Sequence, residues 1–197
     1  YLCAVMPVQK ITKEALLEKA MMVFHQKGYF ATSMDDLAKA CGLKKGSFYH
    51  YFPGKEALML EVLADAHRRY RQYVLAAADD PALQPRERLE RMLRRQIRIV
   101  TQYYQGCFFG NIALETANHV TAFREPIQAL FDEWTDALSR VLSHFMRAEE
   151  ARALAEQSVL SYEGAVMFTK LHQDSRYLDR WRDYILEKIA PAEITTT

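Results

Sequence analysis

With 197 residues, 50% of them hydrophobic and 26% charged, the chain can bury a substantial core, as one domain or as a small module plus a larger one. No apolar run approaches the about 20 residues a membrane-spanning helix requires. Tyr1 to Pro7 lacks the basic start and full apolar core of a signal peptide, and Met6 is read as the start, with Tyr1 to Val5 upstream of it. Cys3, Cys41 and Cys107 form an odd set without paired spacing. That argues against a disulfide framework or structural zinc site and for a reducing cytoplasm. The net charge of +1 is unevenly divided. Lys10 to Lys55 holds eight Lys against four acids, or +4, and the remainder carries 18 basic and 21 acidic residues, or −3. A basic N-terminal module on a slightly acidic body is the charge pattern of a nucleic-acid-binding head on a body that binds something else.

Nearly the whole chain reads as helix: seven Gly and six Pro interrupt it, and no alternating apolar-polar run of strand type occurs. Thr12 caps a first helix from Lys13 to about Gln26, with Leu16, Leu17, Ala20, Val23 and Phe24 on one face, and Gly28 closes it. Ser33 caps a short second helix, Met34 to Cys41, whose Leu37, Ala38 and Cys41 face inward. A third runs from about Lys44 to Tyr51, stopped by Pro53-Gly54, and Lys55 opens a long fourth that reaches about Ala78. Asp79-Asp80-Pro81 marks a loop. Five further segments follow, from Arg86 to Tyr104, Phe108 to Asn118, Phe123 or Pro126 to Arg147, Glu149 to Gln173 and about Arg176 to Ile189. The expected fold is all-α, with a head of three helices at 10–53 and a helical bundle at 55–190.

The segment Met34 to Phe52 has the spacing of a helix-turn-helix, which joins two short, steeply crossing helices by a tight turn that often contains Gly. Gly42 supplies the positive-φ residue, and Leu43 is expected to plug the turn into the core. In the third helix Phe48 and Phe52, four apart, anchor one face, leaving Lys44, Lys45, Ser47, Tyr49, His50 and Tyr51 to point elsewhere. So many cationic and hydrogen-bonding groups on a short helix suit the DNA major groove, and Gly46 lets the backbone approach a duplex closely. Lys55 stands at a helix N-terminus, where its charge and the free amides can meet a phosphate.

The stretch Thr32-Ser33-Met34-Asp35-Asp36-Leu37 through Lys44-Lys45-Gly46-Ser47-Phe48-Tyr49-His50-Tyr51-Phe52-Pro53-Gly54-Lys55-Glu56-Ala57-Leu58 resembles the DNA-binding domain of the TetR family of repressors. The likeness runs roughly from Thr12 to Leu63, about a quarter of the chain, and Gly54 stands where a polar residue is more usual. By this resemblance Lys45, Tyr49, His50, Lys55 and Thr32 or Ser33 would contact phosphates, and Lys44, Gly46, Ser47 and Tyr51 would lie nearest the base edges. Tyr51 could equally pack against the fourth helix. The resemblance also implies an operator-binding homodimer joined through its last two helices, with third helices about 34–36 Å apart in successive major grooves. It further implies a small-molecule effector bound in the body.

The residues of the body fit that outline. Ala155, Ser158, Val159, Tyr162, Ala165, Val166 and Thr169 form a stripe that permits close helix approach, and Tyr177, Leu178, Trp181, Tyr184 and Ile185 add interface-type anchors. The alternative is that the stripe packs within its own subunit. Tyr103, Phe108, Asn111, Phe123, Phe131, Trp134, Tyr162 and Phe168 are the candidate effector-binding residues, a lining that favours a flat apolar or aromatic molecule. No His/Cys/Asp cluster has metal spacing, and no cofactor is expected. Cys107 precedes the Phe108 segment, where free amides would lower a thiol pKa. It is a candidate redox residue, because some relatives with a similar Gly-Cys-x-x-Gly-Asn stretch respond to electrophiles, or else a small buried side chain. Two other classes compete. An enzyme would need a nucleophile elbow, P-loop or dinucleotide fingerprint, none of which is present, and a helical small-molecule-binding protein without DNA affinity would share the body but not the head.

Overall fold

The computed structural model describes residues 12–104 and 106–190, excepting the side chains of 102–104. Tyr1 to Val5, Met6, Cys3 and the side chain of Tyr103 therefore lie outside the described residues. Helix is the only regular structure among them: α1 (Lys13–Lys27), α2 (Met34–Ala40), α3 (Lys45–Tyr51), α4 (Lys55–Tyr73), α5 (Pro85–Arg98), α6 (Phe108–Thr116), α7 (Arg124–Leu142), α8 (Ala148–His172) and α9 (Arg176–Lys188). The chain divides into two compact units, one ending at Asp65 and the other beginning at Ala66.

Local chemistry sets the head's boundaries. The Thr12 hydroxyl accepts the Ala15 amide at 3.2 Å, satisfying one of the free donors of α1. Gly28, at φ 82°, ends the helix by donating its own N–H to the Phe24 carbonyl. Ser33 and Asp36 form a reciprocal capping box at the start of α2. Gly42, at φ 71°, makes the turn, and the Leu43 amide returns to the Ala38 carbonyl at 2.9 Å. Beneath these elements Leu16, Leu17, Ala20, Met21, Phe24, Leu37, Ala38, Cys41, Phe48, Phe52, Leu58, Met59 and Leu63 are buried. The expected inner face of α1 is amended at one place: Met21 is buried and Val23 only partly so. Leu43 is also only partly buried, and Cys41 plugs the turn, its thiol reaching the Leu16 carbonyl at 3.7 Å.

In the second unit, α4 ends at Tyr73, earlier than the expected Ala78, and Leu75–Asp79 is a 3-10 turn. Arg95 explains the stop: its guanidinium donates to the Tyr73 carbonyl at 2.7 Å and lies over the Tyr73 ring. α5 begins with Pro85 at its first position and a Gln84/Glu87 capping box. It changes at Ile99 into a π-helical segment, Ile99–Tyr104, where the sequence pattern predicts continuous α-helix. α6 stops at Thr116 rather than Asn118, and α7 starts at Arg124 after a 3-10 turn at Thr121–Phe123 and ends at Leu142. A spine of aromatic rings ties α7, α8 and α9 together. Trp134 meets Tyr162 edge-on at 5.0 Å between centroids, and Tyr162 meets Trp181 at the same separation. The Trp181 indole N–H finds the Ser158 carbonyl at 2.8 Å, so the burial of this polar ring edge is compensated.

The stripe expected on α8 as a partner surface is corrected. Ala155, Ser158, Val159, Tyr162 and Val166 are buried within their own chain, as are Leu178, Trp181 and Ile185 of α9. The exposed apolar face of α8 is the other one: Leu160, Met167, Phe168 and Leu171, at helical spacing with Gly164 among them. Tyr184 of α9 is also exposed.

Candidate nucleic-acid interface and effector region

The head presents α3 as a two-faced element. Phe48 and Phe52 are fully buried with ring centroids 5.3 Å apart, anchoring the helix. Lys44, Lys45, Gly46, Ser47, Tyr49, His50 and Tyr51 are all exposed, and Tyr49 and Tyr51 each keep 44% of their surface open. Tyr51 touches the Phe52 ring at 6.3 Å but stays open to solvent. Lys44 occupies the N-cap position without a side-chain cap hydrogen bond, so the first amides of α3 are left to other partners. A Cβ added to Gly46 would meet nothing within 4 Å, so nothing inside the protein demands a glycine there.

Other residues expected to meet DNA serve the scaffold. The Lys55 ammonium donates to the carbonyls of Tyr29 at 2.8 Å, Thr32 at 2.9 Å and Phe30 at 3.4 Å, and lies 4.5 Å from the Tyr29 ring centroid. Its three donors are turned onto the loop between α1 and α2, which corrects the expectation that its side chain projects toward a phosphate. Thr32 is buried, its hydroxyl donating to the Gly28 carbonyl at 2.6 Å, so that side chain too holds the loop. Ser33 is exposed, but its hydroxyl donates to Asp36 at 2.6 Å. Hydrogen bonds from Lys27 and then Ser33 hold the Asp36 carboxyl well below the usual carboxylate range. Lys45 lies 3.7 Å from Asp35, a solvated pair that a phosphate can displace.

In the second unit the expected effector residues do not share one surface. Trp134, Tyr162, Phe123 and Phe108 are buried, Phe131 and Asn111 partly so. Phe168 is 41% exposed, stacks on His172 and lies tilted against Tyr177 with ring centroids 5.4 Å apart, on the outer face of α8 rather than toward the core. An open cleft lies between the π segment and the end of α8, lined by Val100, Thr101, Val166, Thr169, Lys170 and Gln173, and it includes none of the expected set.

Cys107 is corrected in sign. The Gly110 amide does reach its sulfur at 3.3 Å, as a helix start would provide. Burial and the neighbouring Glu163 carboxylate outweigh that and push the thiol well above its ordinary pKa. The thiol instead donates to Glu163, a residue that the sequence does not single out for binding. Gly110 makes this possible, since a Cβ there would collide with a Glu163 carboxylate oxygen, lie 3.1 Å from its Cδ and meet the Cys107 Cβ at 3.5 Å. Among the described residues, no helix is long and apolar enough to cross a membrane and no group of three His, Cys, Asp or Glu side chains is placed to hold a metal.

Comparison with known proteins agrees with this geometry. Residues 16–62 match the model of bacterial regulatory proteins of the TetR family, and residues 85–184 match the C-terminal domain of LmrA/YxaF-like transcriptional regulators. The repressor DhaR of Mycobacterium sp. strain GP1 is 24% identical over 91% of this chain and 93% of its own, and LmrA of Bacillus subtilis 27% identical over 83% and 89%. Among solved structures, a TetR regulator from Legionella pneumophila superposes with a TM-score of 0.84 at 22% identity, covering 94% of this chain and all of that one. Reduced NemR of Escherichia coli superposes with a TM-score of 0.78 at 21% identity, covering 90% and 96%. The fold and site define a helix-turn-helix DNA-binding regulator. The chain belongs to the TetR family of transcriptional regulators.

Proposed function

We propose that the chain is a homodimeric repressor whose α3 enters the major groove of operator DNA and which a small molecule bound in the second unit releases. The reading makes residues 10–53 the DNA-binding domain and residues 55–190 the effector and dimerisation domain. Lys44, Gly46, Ser47 and Tyr51 lie nearest the bases, and Lys45, Tyr49 and His50, with the Ser33 end of α2, meet phosphates. The observation that carries it is the surface of α3: two aromatics fully buried, and every polar, cationic or side-chain-free position beside them turned to solvent. Dimerisation through α8 and α9 is supported by the exposed apolar row Leu160, Met167, Phe168 and Leu171, with Tyr184 on α9. Effector binding acts by population shift, favouring a form in which the fourth helix holds the two α3 elements at a separation that no longer fits successive grooves. A mobility shift with the DNA upstream of the chain's own gene tests the reading: a discrete complex at low salt is expected, and no complex refutes it.

A further inference from the structure

The two acids in the first turn of α2 are used differently. Asp36 is turned onto the scaffold, where its carboxylate accepts the Ser33 amide at 3.0 Å, the Ser33 hydroxyl at 2.6 Å and the Lys27 ammonium at 2.8 Å. Asp35 takes no part in that capping box. Its Oδ2 lies 3.3 Å from the ammonium of Lys39, one turn on along α2, and its Oδ1 lies 3.7 Å from that of Lys45, the first residue of α3. All three side chains are solvated, Asp35 keeping 46% of its surface open. Asp35 is therefore a negative charge set between the Ser33 end of α2 and Lys45, on the edge through which the head is read as meeting phosphates.

Distance decides what DNA can do with this arrangement. A charge-assisted hydrogen bond between an ammonium and a phosphate oxygen closes to about 2.7–2.9 Å. The Lys45–Asp35 pair is longer than that and solvated, so a phosphate docked in register takes Lys45 from it. Asp35 is not then left uncompensated, because Lys39 stays on its other oxygen. A duplex held loosely, with its phosphates a water molecule away, does not win Lys45. It meets the Asp35 carboxylate as a like charge instead.

We propose that Asp35 is a specificity-determining residue of the DNA-binding head: it withholds Lys45 from DNA of arbitrary sequence and yields it to a duplex that fits. This rests on the reading of α3 as the helix that meets DNA and deepens it, and it needs neither the dimer nor the effector. Attraction to phosphates raises affinity for every sequence alike, and discrimination needs an element that the wrong duplex fails to satisfy. Asp35 supplies one without touching a base. In the unmodified chain Lys45 contributes to the salt dependence of operator binding and little to that of binding to random-sequence DNA. In Asp35→Asn it contributes to both.

The test follows the full chain by fluorescence anisotropy over a range of salt, on the upstream DNA and on a random-sequence duplex of equal length. Asp35→Asn is expected to bind the random duplex about two- to fivefold more tightly for each head engaged, the span of an exposed ion pair. Its log-log salt slope on that duplex should steepen by about one unit per head. Affinity for the upstream DNA should rise less, so the ratio between the two falls. Adding Lys45→Ala should abolish the gain, whereas Lys45→Ala alone should leave the random-duplex slope nearly unchanged. A gain of the same size in the Lys45→Ala background makes Asp35 a bare charge and overturns the proposal. Weaker binding of the random duplex by Asp35→Asn, an unchanged slope, or equal gains on both duplexes overturns it as well. If the parent binds both duplexes without preference, the repressor reading fails and the random-duplex measurements alone decide on Asp35. No binding of either duplex at low salt refutes both.

Discussion

Replacing Gly46 with alanine separates the demands of the fold from those of DNA, because the two push in opposite directions. An added Cβ meets nothing within 4 Å and the residue is helical, so the protein has no steric objection. Alanine in place of helical glycine is worth up to about 1 kcal/mol, less in a first turn, so Gly46→Ala should melt at the same temperature or a few degrees higher. If the backbone of α3 approaches base edges here, the methyl group enters a packed interface at about 1–3 kcal/mol per half-site. That corresponds to roughly 5- to 150-fold weaker binding for each half-site. Fluorescence anisotropy on the upstream DNA at fixed salt measures it, with thermal denaturation as the control. Because no charge is removed, the slope of log affinity against log salt should stay constant. A variant that melts no lower and binds within twofold of the parent would refute the close approach and move the protein–DNA interface away from Gly46.

Three further outcomes follow from the structure. Asp36 has its folded-state pKa depressed by Lys27 and Ser33, so its stabilising effect is complete above the unfolded value of about 3.9 and is lost as pH falls toward the folded value. Asp36→Asn should flatten the dependence of melting temperature on pH below about 4, and an unchanged profile would contradict the capping role. Leu171→Asp places a charge on the exposed row of α8 and should yield monomers by sedimentation velocity at unaltered helicity; a persistent dimer would place the interface elsewhere. Gly110→Ala should displace the Glu163 carboxyl from the Cys107 thiol, so the cost of that displacement opposes a helical gain of up to about 1 kcal/mol, and in a Glu163→Ala background the same change should stabilise by more than it does in the parent; equal effects in the two backgrounds would show that the two do not meet.

The head is largely legible in the sequence because its determinants are local. Caps at Thr12 and Ser33, the turn at Gly42 and the Phe48/Phe52 pair all lie within a few residues of what they control. Lys55 misleads because its partners, Tyr29, Phe30 and Thr32, lie 23 to 26 residues earlier in a loop whose path no local pattern specifies. In α8 both faces are apolar, so periodicity finds a stripe but does not say which one faces the chain's own α7 and α9. Small residues such as Ala155 and Ser158 suggest a partner helix, and they do admit one, but from the same chain. Glu163 escapes notice for a similar reason. Its meaning depends on Gly110 and Cys107, more than fifty positions away, and a lone glutamate in a helix reads as solvated until burial is known.

The central claim is that the exposed face of α3 carries DNA binding, and the salt dependence of that binding tests it most directly. Affinity for the upstream DNA should fall linearly in log-log form as salt rises, and Lys45→Ala should make the slope shallower by about one unit for each phosphate that Lys45 neutralises. Binding with a slope that Lys45→Ala leaves unchanged, or no binding at low salt, would contradict the account.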